Sequence, residues 1–152
     1  MIATGRGHIL SSLLFEDHTQ YQGHAPITHC GEDCSLRRLI TTAVTNYYRS
    51  GNWGASITLQ SLGTPFQQLV WQALAAVPAG KTDSYQEIAR TIGRPTAARA
   101  VAGACRRNPY TLIVPCHRIV GSNGQLTGYA GGLWRKEWLL KFERESARSR
   151  SL

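Results

Sequence analysis

Ser84-Tyr85-Gln86-Glu87-Ile88-Ala89-Arg90-Thr91-Ile92-Gly93-Arg94-Pro95-Thr96-Ala97-Ala98-Arg99-Ala100-Val101-Ala102-Gly103-Ala104-Cys105-Arg106-Arg107 is the stretch whose reading decides the fold of this chain. Ser84 with Glu87 three residues on forms a capping box, and Tyr85, Ile88, Ala89 and Ile92 follow at helical spacing until Gly93. Gly93-Arg94-Pro95 reads as a turn, and a second helix runs from about Pro95 or Thr96 to about Arg107, where Asn108-Pro109 stops it. Helix, short glycine-containing turn, helix is the geometry of a helix-turn-helix. The second helix is built mostly of Ala97, Ala98, Ala100, Ala102, Gly103 and Ala104, with Arg99 in their midst and Arg106-Arg107 at the end. Small side chains let a helix backbone come close to a surface while one long arginine projects beyond it. Tight packing within a core is the competing use of the same alanines.

Upstream, Thr64 caps a further helix that has Pro65 at its first position and Gln67 three residues on, with Phe66, Leu69, Val70, Ala73, Leu74 and Val77 as its apolar stripe. Before Gly63 the pattern is weaker. Gly7 to Phe15 and Ala55 to Leu59 read as strands, Leu36 to Tyr48 reads as a helix, and His18 to Glu32 is turn-rich without a period. A boundary at Gly63 divides the chain into an α/β unit, 1–62, and a mostly helical unit with a basic tail, 63–152. Downstream, Leu112-Ile113-Val114 reads as a strand ended by Pro115, Gly121-Ser122-Asn123-Gly124 as a turn, and Trp134 to Glu143 as the last helix, anchored by Trp138 and Phe142 at i, i+4.

At 152 residues and 42% hydrophobic content, the chain fits one ordinary domain or two small ones packed together. No apolar run approaches the roughly 20 residues a membrane-spanning helix requires, and the N-terminus lacks a signal-peptide pattern, so a cytoplasmic location without a membrane partner is expected. The net charge of +8 is unevenly placed. Residues 1–62 carry four Arg against four acidic residues, whereas residues 63–152 carry 13 basic against five acidic, which is the whole excess, 13 − 5 = +8. Such asymmetry points to a polyanion. Alanine and glycine offer no donors or acceptors to base edges, so the small-residue helix suits a shallow approach to duplex DNA with phosphate contacts and little sequence reading.

Four cysteines, Cys30, Cys34, Cys105 and Cys116, must be weighed one by one in a reducing compartment. Cys105 falls in phase with Ala98, Val101 and Ala102 and reads as a packing residue. Cys116 lies in Pro115-Cys116-His117-Arg118, where a thiol and an imidazole are adjacent. A free thiol, with a pKa of about 8.5, needs a base or cation to become a thiolate nucleophile at neutral pH. In an extended segment neighbouring side chains diverge, so a water relay or a local turn is required to join Cys116 to His117. A carboxylate on the far imidazole nitrogen completes such a base, and Glu143 is a candidate, with Glu137 and Glu145 equally placed by spacing alone.

Gly63-Thr64-Pro65-Phe66-Gln67, Val70-Trp71, Ser84-Tyr85, Arg99-Ala100-Val101, Asn108-Pro109, Pro115-Cys116-His117-Arg118, Gly128-Tyr129 and Lys136-Glu137-Trp138-Leu139-Leu140 together resemble the O6-alkylguanine-DNA alkyltransferases, collinearly from Gly63 to Glu143. The resemblance implies an α+β fold: a small ribonuclease-H-like N-terminal domain, shortened here and without its opening strand, followed by a winged-helix-like C-terminal domain. It implies irreversible transfer of an alkyl group from a flipped O6-alkylguanine to Cys116, once per molecule, without cofactor or metal. In that frame Cys116 is served by water, His117, Glu143 and Asn108. Tyr129, Lys136, Val114, Ser84 and Gly131 hold the base, with carbonyls of Cys116 and Val114 reading its exocyclic amine. Tyr85, Arg99, Thr96, Ala97 and Arg106 contact DNA, Tyr85 at the 3′ phosphate and Arg99 filling the vacated stack. The implied partner is double-stranded DNA carrying O6-alkylguanine or O4-alkylthymine, bound by a monomer able to act cooperatively on DNA, nucleoid-associated in a prokaryote.

Two features depart from the family pattern. Ala130 follows Tyr129 where a serine is frequent, so a hydrogen bond to the O6 side is either absent or supplied by backbone, which weakly favours bulkier adducts. His24, His29, Cys30 and Cys34 cluster in sequence, but their spacing does not match the zinc sites of relatives, and unliganded loop residues are expected. Two other classes of function compete with alkyl transfer: a non-catalytic alkylation-damage sensor, against which the intact Cys116 argues, and a cysteine hydrolase, for which no oxyanion donor pair is identifiable.

Overall fold

Both capping boxes form and set the helical frame of the computed structural model, which describes residues 1–18, 35–51, 53 and 56–149. Thr64 accepts from the Gln67 amide and Gln67 reaches back to the Thr64 amide, starting α2 (Pro65–Ala75). Ser84 and Glu87 do the same for α3 (Tyr85–Thr91). Each cap contributes about 1 kcal/mol by satisfying amides that have no partner within the helix. The second helix of the pair, α4 (Ala98–Arg106), begins after a turn at 95–96, with Ala97 at its N-cap offering no side-chain bond.

The stripe expected on α2 is rotated. Val70, Trp71, Leu74 and the following Val77 are buried, whereas Leu69 is 38% exposed and Phe66 and Ala73 are half-buried. Trp71 takes the inward place because its indole N–H donates to the Ala104 carbonyl at 3.0 Å and its ring meets Tyr110 edge-on. That bond ties α2 to α4. Val101, Ala104 and Cys105 of α4 turn into the same core, so Cys105 is a buried packing residue as expected.

At the N-terminus two strands stand where one was expected. β1 (Ile2–Arg6) pairs antiparallel with β2 (Ile9–Leu14) across a turn at Gly7-His8, where Gly7 adopts φ +60°, and a register shift at Thr4/Gly5 marks a bulge. An opening strand is therefore present, contrary to the sequence-based expectation. Its one exposed face and short alternation hid it. A third strand, β3 (Thr58–Leu59), pairs parallel to β2. Helix α1 spans Ser35–Ser50, with Leu36, Ala43 and Tyr47 buried. The His24, His29, Cys30 and Cys34 cluster lies outside the described residues.

The main core spans both parts of the chain: Leu10 and Leu13 of β2 join Val70, Trp71, Leu74, Ile88, Val101, Val114 and Ile119 in one buried cluster, and Tyr47, Leu112 and Leu139 form a second. Strand β2 also holds the segment after α4, because Leu13 donates to the Pro109 carbonyl and accepts from the Thr111 amide, both at 2.8 Å. The last helix, α5 (Leu133–Ser149), runs past Glu143 into the basic tail. Its buried edge is Lys136, Leu139, Leu140 and Glu143. The rings of the expected pair, Trp138 and Phe142, do stack, 5.2 Å apart; Trp138 is 48% exposed, while the half-buried Phe142 packs against Tyr47, Leu112 and Leu139 and anchors the helix as expected. Among the described residues no helix is long and apolar enough to cross a membrane.

Candidate active site

Asn108 folds the segment that carries the thiol. Its side-chain oxygen accepts from the Tyr110 amide at 2.9 Å, and its Nδ2 donates to the Val114 carbonyl at 2.7 Å and to Cys116 Sγ at 3.2 Å. The apolar run Leu112-Ile113-Val114 is consequently a turn and not the expected strand: the Val114 amide bonds to the Tyr110 carbonyl, and Leu112 sits at φ +71°. A buried leucine in the left-handed region is strained, and such strain persists only where the surroundings over-determine it. Here Leu112 is clamped between Tyr47 and Leu139.

Pro115, at φ −82° and ψ 61°, is the centre of an inverse γ-turn closed by the Cys116 amide on the Val114 carbonyl at 2.8 Å. A single turn of 3-10 helix, Cys116–Arg118, follows, and then β5 (Ile119–Val120), which pairs parallel with β4 (Asp83–Ser84). The local turn that the sequence required thus exists. Within it Cys116 bonds to Asn108, while His117 is directed to α5.

His117 and Glu143 are fully buried, with Nε2 and Oε1 2.9 Å apart, so Glu143 and neither Glu137 nor Glu145 is the partner carboxylate. Arg118 grips the same carboxylate, Nε to Oε2 at 3.0 Å and Nη2 to Oε1 at 2.8 Å, and its third nitrogen donates to the Val77 carbonyl. The Gly80 amide reaches Oε2 at 3.2 Å and the Tyr47 hydroxyl donates to Oε1 at 2.7 Å. Burial alone raises the pKa of Glu143, but the hydrogen bonds from His117 and Arg118 outweigh it and hold the carboxyl well below the usual range. Burial pushes His117 down, so its imidazole is neutral at pH 7 despite Glu143. With Nε2–H donated to Glu143, the lone pair lies on Nδ1, which is buried and has no hydrogen-bond partner among the described residues.

The thiol of Cys116 is pushed up by burial, opposed by the Asn108 amide and by the nearby Lys136 ammonium. Lys136 is fully buried, its Nζ donating to the Ile119 carbonyl at 2.5 Å and the Thr127 carbonyl at 2.9 Å. Those bonds tie α5 to the loop carrying Tyr129. Burial lowers the pKa of Lys136, and Cys116 partly counters this. The Tyr129 hydroxyl is also buried without a partner among the described residues, and its ring meets His117 edge-on with centroids 6.5 Å apart. Gly131 is required there: a Cβ would come within 2.8 Å of both Phe15 and the Tyr129 ring. The structure therefore brings Cys116, His117, Glu143, Asn108, Val114, Lys136, Tyr129 and Gly131 together.

Of the remaining candidates, Tyr85 borders the site, its ring 6.0 Å from Lys136 Nζ, and Ser84 pairs with Val120 beside it, whereas Thr96, Ala97, Arg99 and Arg106 lie apart at α4. Ser84 is buried with its hydroxyl committed to the α3 cap. Tyr85 is half-buried, its hydroxyl accepting from Thr127 Oγ1 at 3.3 Å. Thr96, Arg99 and Arg106 are exposed and Ala97 is half-buried at the start of α4. Sequence reasoning missed Arg118 as the clamp on Glu143, although it sits inside the Pro115–Arg118 motif. It also missed Tyr47 and Gly80, for which no local signal exists.

The fold thus pairs a small N-terminal sheet with a helix-turn-helix and buries a thiol bonded to Asn108 next in sequence to a His117–Glu143–Arg118 network. Residues 65–145 match the family model for the DNA-binding domain of 6-O-methylguanine DNA methyltransferase. A methylated-DNA–protein-cysteine methyltransferase of Mycobacterium leprae is 42% identical over 144 residues, 95% of this chain and 86% of that one. One of Salmonella typhimurium is 54% identical over 98 residues, 63% of this chain and 57% of its own length, so the matched stretch spans little more than half of that relative. In structure, OGT of Mycobacterium tuberculosis in complex with DNA superposes with a TM-score of 0.80 at 41% identity, covering 95% of this chain and 86% of that one. This chain belongs to the O6-methylguanine DNA methyltransferase family.

Proposed function

We propose that this protein repairs DNA by direct reversal, taking an alkyl group from O6 of a flipped guanine irreversibly onto Cys116. The observation that carries the reading is the buried row Asn108, Cys116, His117, Glu143, Arg118, inside the segment that matches the family. Residues 1–62 and 63–152 are read as two units, the second holding the thiol and the helix-turn-helix.

In this mechanism the helix-turn-helix lies in the minor groove, α4 approaching through its small residues. Thr96, Ala97 and Arg106 meet the backbone, Tyr85 engages the 3′ phosphate, and Arg99 enters the stack left by the extruded base. Extrusion costs a few kcal/mol, least at a damaged pair, and this cost itself discriminates lesions. Tyr129, Lys136 and Gly131 form the base site, with Ser84 supporting it from the α3 cap. The Val114 oxygen already accepts from Asn108 and from the Cys116 amide, so the Cys116 carbonyl is the freer acceptor for the exocyclic amine.

The thiol proton passes through one water to His117 Nδ1, and the imidazolium that forms is stabilised by Glu143. Sγ then attacks the alkyl carbon in line, the new C–S bond forming as the C–O6 bond breaks. The electron pair departs with O6, and the Tyr129 hydroxyl protonates or hydrogen-bonds N3 of the leaving guanine. The product is a thioether that nothing in the site reverses, so each molecule acts once and needs no cofactor. O4-alkylthymine would present the same bond to the thiol. A DNA substrate places the protein in the cytoplasm, at the nucleoid in a prokaryote, acting as a monomer on each lesion.

Intact-protein mass spectrometry after incubation with an oligonucleotide carrying O6-methylguanine tests the reading. The expected result is a gain of one methylene mass, mapped to Cys116 and saturating at one per protein. Tight lesion binding without mass gain would support a damage sensor, and sustained turnover on an ester or amide a hydrolase.

A further inference from the structure

We infer that Tyr47, from helix α1 outside the segment that matches the family model, is a positioning residue for alkyl transfer, its hydroxyl setting the orientation and basicity of Glu143 and, through it, of His117. The inference rests on the function proposed above. Tyr47 is fully buried, its hydroxyl 2.7 Å from Glu143 Oε1 and 3.5 Å from His117 Nε2. Burial pushes its pKa far up, Glu143 adding to the effect, so the phenol is neutral and can only donate to the carboxylate.

Glu143 does not need this donor for solvation, since Arg118 and the Gly80 amide already supply both oxygens. What the phenol changes is the oxygen facing the imidazole. It draws electron density from Oε1, the atom that accepts from His117, and fixes the carboxylate plane by a contact independent of the Arg118 fork. Other charged groups facing His117 are Arg118 and Lys136, and neither rests on α1. Tyr47 also closes over Leu112, whose strained turn precedes Pro115 and Cys116, so one side chain braces both the base and the nucleophile's loop.

Removing the hydroxyl leaves Oε1 more basic, which favours the imidazolium and depletes the neutral base. In the wild type, burial places the loss of activity on acidification below the ordinary imidazole value of 6.5. In Tyr47→Phe the midpoint of that loss moves to higher pH by about half a unit, so the single-turnover rate on the acid side of the midpoint falls about threefold while the rate near neutrality changes by less than about twofold. The measurement is the rate of methyl transfer to full-length protein from an O6-methylguanine duplex across pH, with the His117 ring titration followed by NMR. 3-Fluorotyrosine placed at position 47, a stronger donor of nearly the same shape, moves the midpoint the opposite way and retains the ring should Tyr47→Phe fold poorly. Tyr48→Phe, one residue on and half-exposed, moves nothing.

A Tyr47→Phe protein with unchanged rate and midpoint overturns the inference. So does a slower protein whose midpoint and His117 titration stay put, because that is packing alone. Failure of the underlying function is separate: wild-type protein would then gain no alkyl mass on Cys116 at any pH.

Discussion

The segment 108–120 and the outer face of α4 are adjacent in sequence and opposite in construction. The first is almost wholly buried, with backbone and side-chain polar groups bonded several times over around one strained leucine. The second is exposed, made of alanines and arginines, and its helix begins without a side-chain cap. A nucleophile needs a defined position and a tuned proton, which only a dry, over-determined network supplies. A surface that accepts any lesion-bearing duplex needs close approach and charge without base-reading groups. The contrast predicts that substitutions in the first region act on chemistry or stability and those in the second on duplex engagement.

The largest effect is expected at the nucleophile itself. Cys116→Ser abolishes alkyl transfer while keeping affinity for duplex in a gel-shift titration, and loss of both would break the separation of the two regions. Next is the clamp. Arg118→Met leaves the Glu143 carboxylate buried with its main cation gone and destabilises the fold by about 3 to 5 kcal/mol, read as a shift in the denaturation midpoint. A neutral effect would mean the network is less closed than its geometry.

On the other region, Arg99→Ala slows repair of duplex by about tenfold or more, as expected of a few kcal/mol of extrusion cost left uncompensated. Reaction with free O6-benzylguanine is then nearly unchanged, and equal losses on the two substrates would remove Arg99 from the DNA face. The smallest effect belongs to Cys105, a second buried thiol that burial holds firmly protonated. Cys105→Ala still takes up one alkyl group per protein at Cys116, by the mass measurement above. Uptake falling below one would make the two thiols a functional pair.

Where local chemistry decides structure, the sequence was legible. Thr64/Gln67 and Ser84/Glu87 announced their helices because a capping box is satisfied within four residues. Asn108-Pro109 marked the end of α4, and the Pro115–Arg118 motif marked the nucleophile. Where partners come from afar, local reading failed. Leu112-Ile113-Val114 has strand composition, but Asn108 takes the backbone bonds that a strand would use. Of the expected anchor pair only Phe142 packs inward, and the buried edge of α5 includes Lys136 and Glu143, charged residues that no hydrophobic count would turn inward. Gly7, at positive φ, turns the chain between β2, which lies within the expected strand, and β1, which precedes it and was not expected.

The sequence by itself determined the helix-turn-helix, the basic excess of the second part, and the thiol with its imidazole neighbour, since caps, charge and covalent adjacency are properties of short stretches. Tertiary structure decided that Glu143, and neither Glu137 nor Glu145, meets His117, that Arg118 and Gly80 hold it, and that Tyr47 reaches it from 96 positions away. A buried ion network exists only where packing has excluded water and brought distant elements within hydrogen-bond range, and no local pattern encodes that meeting.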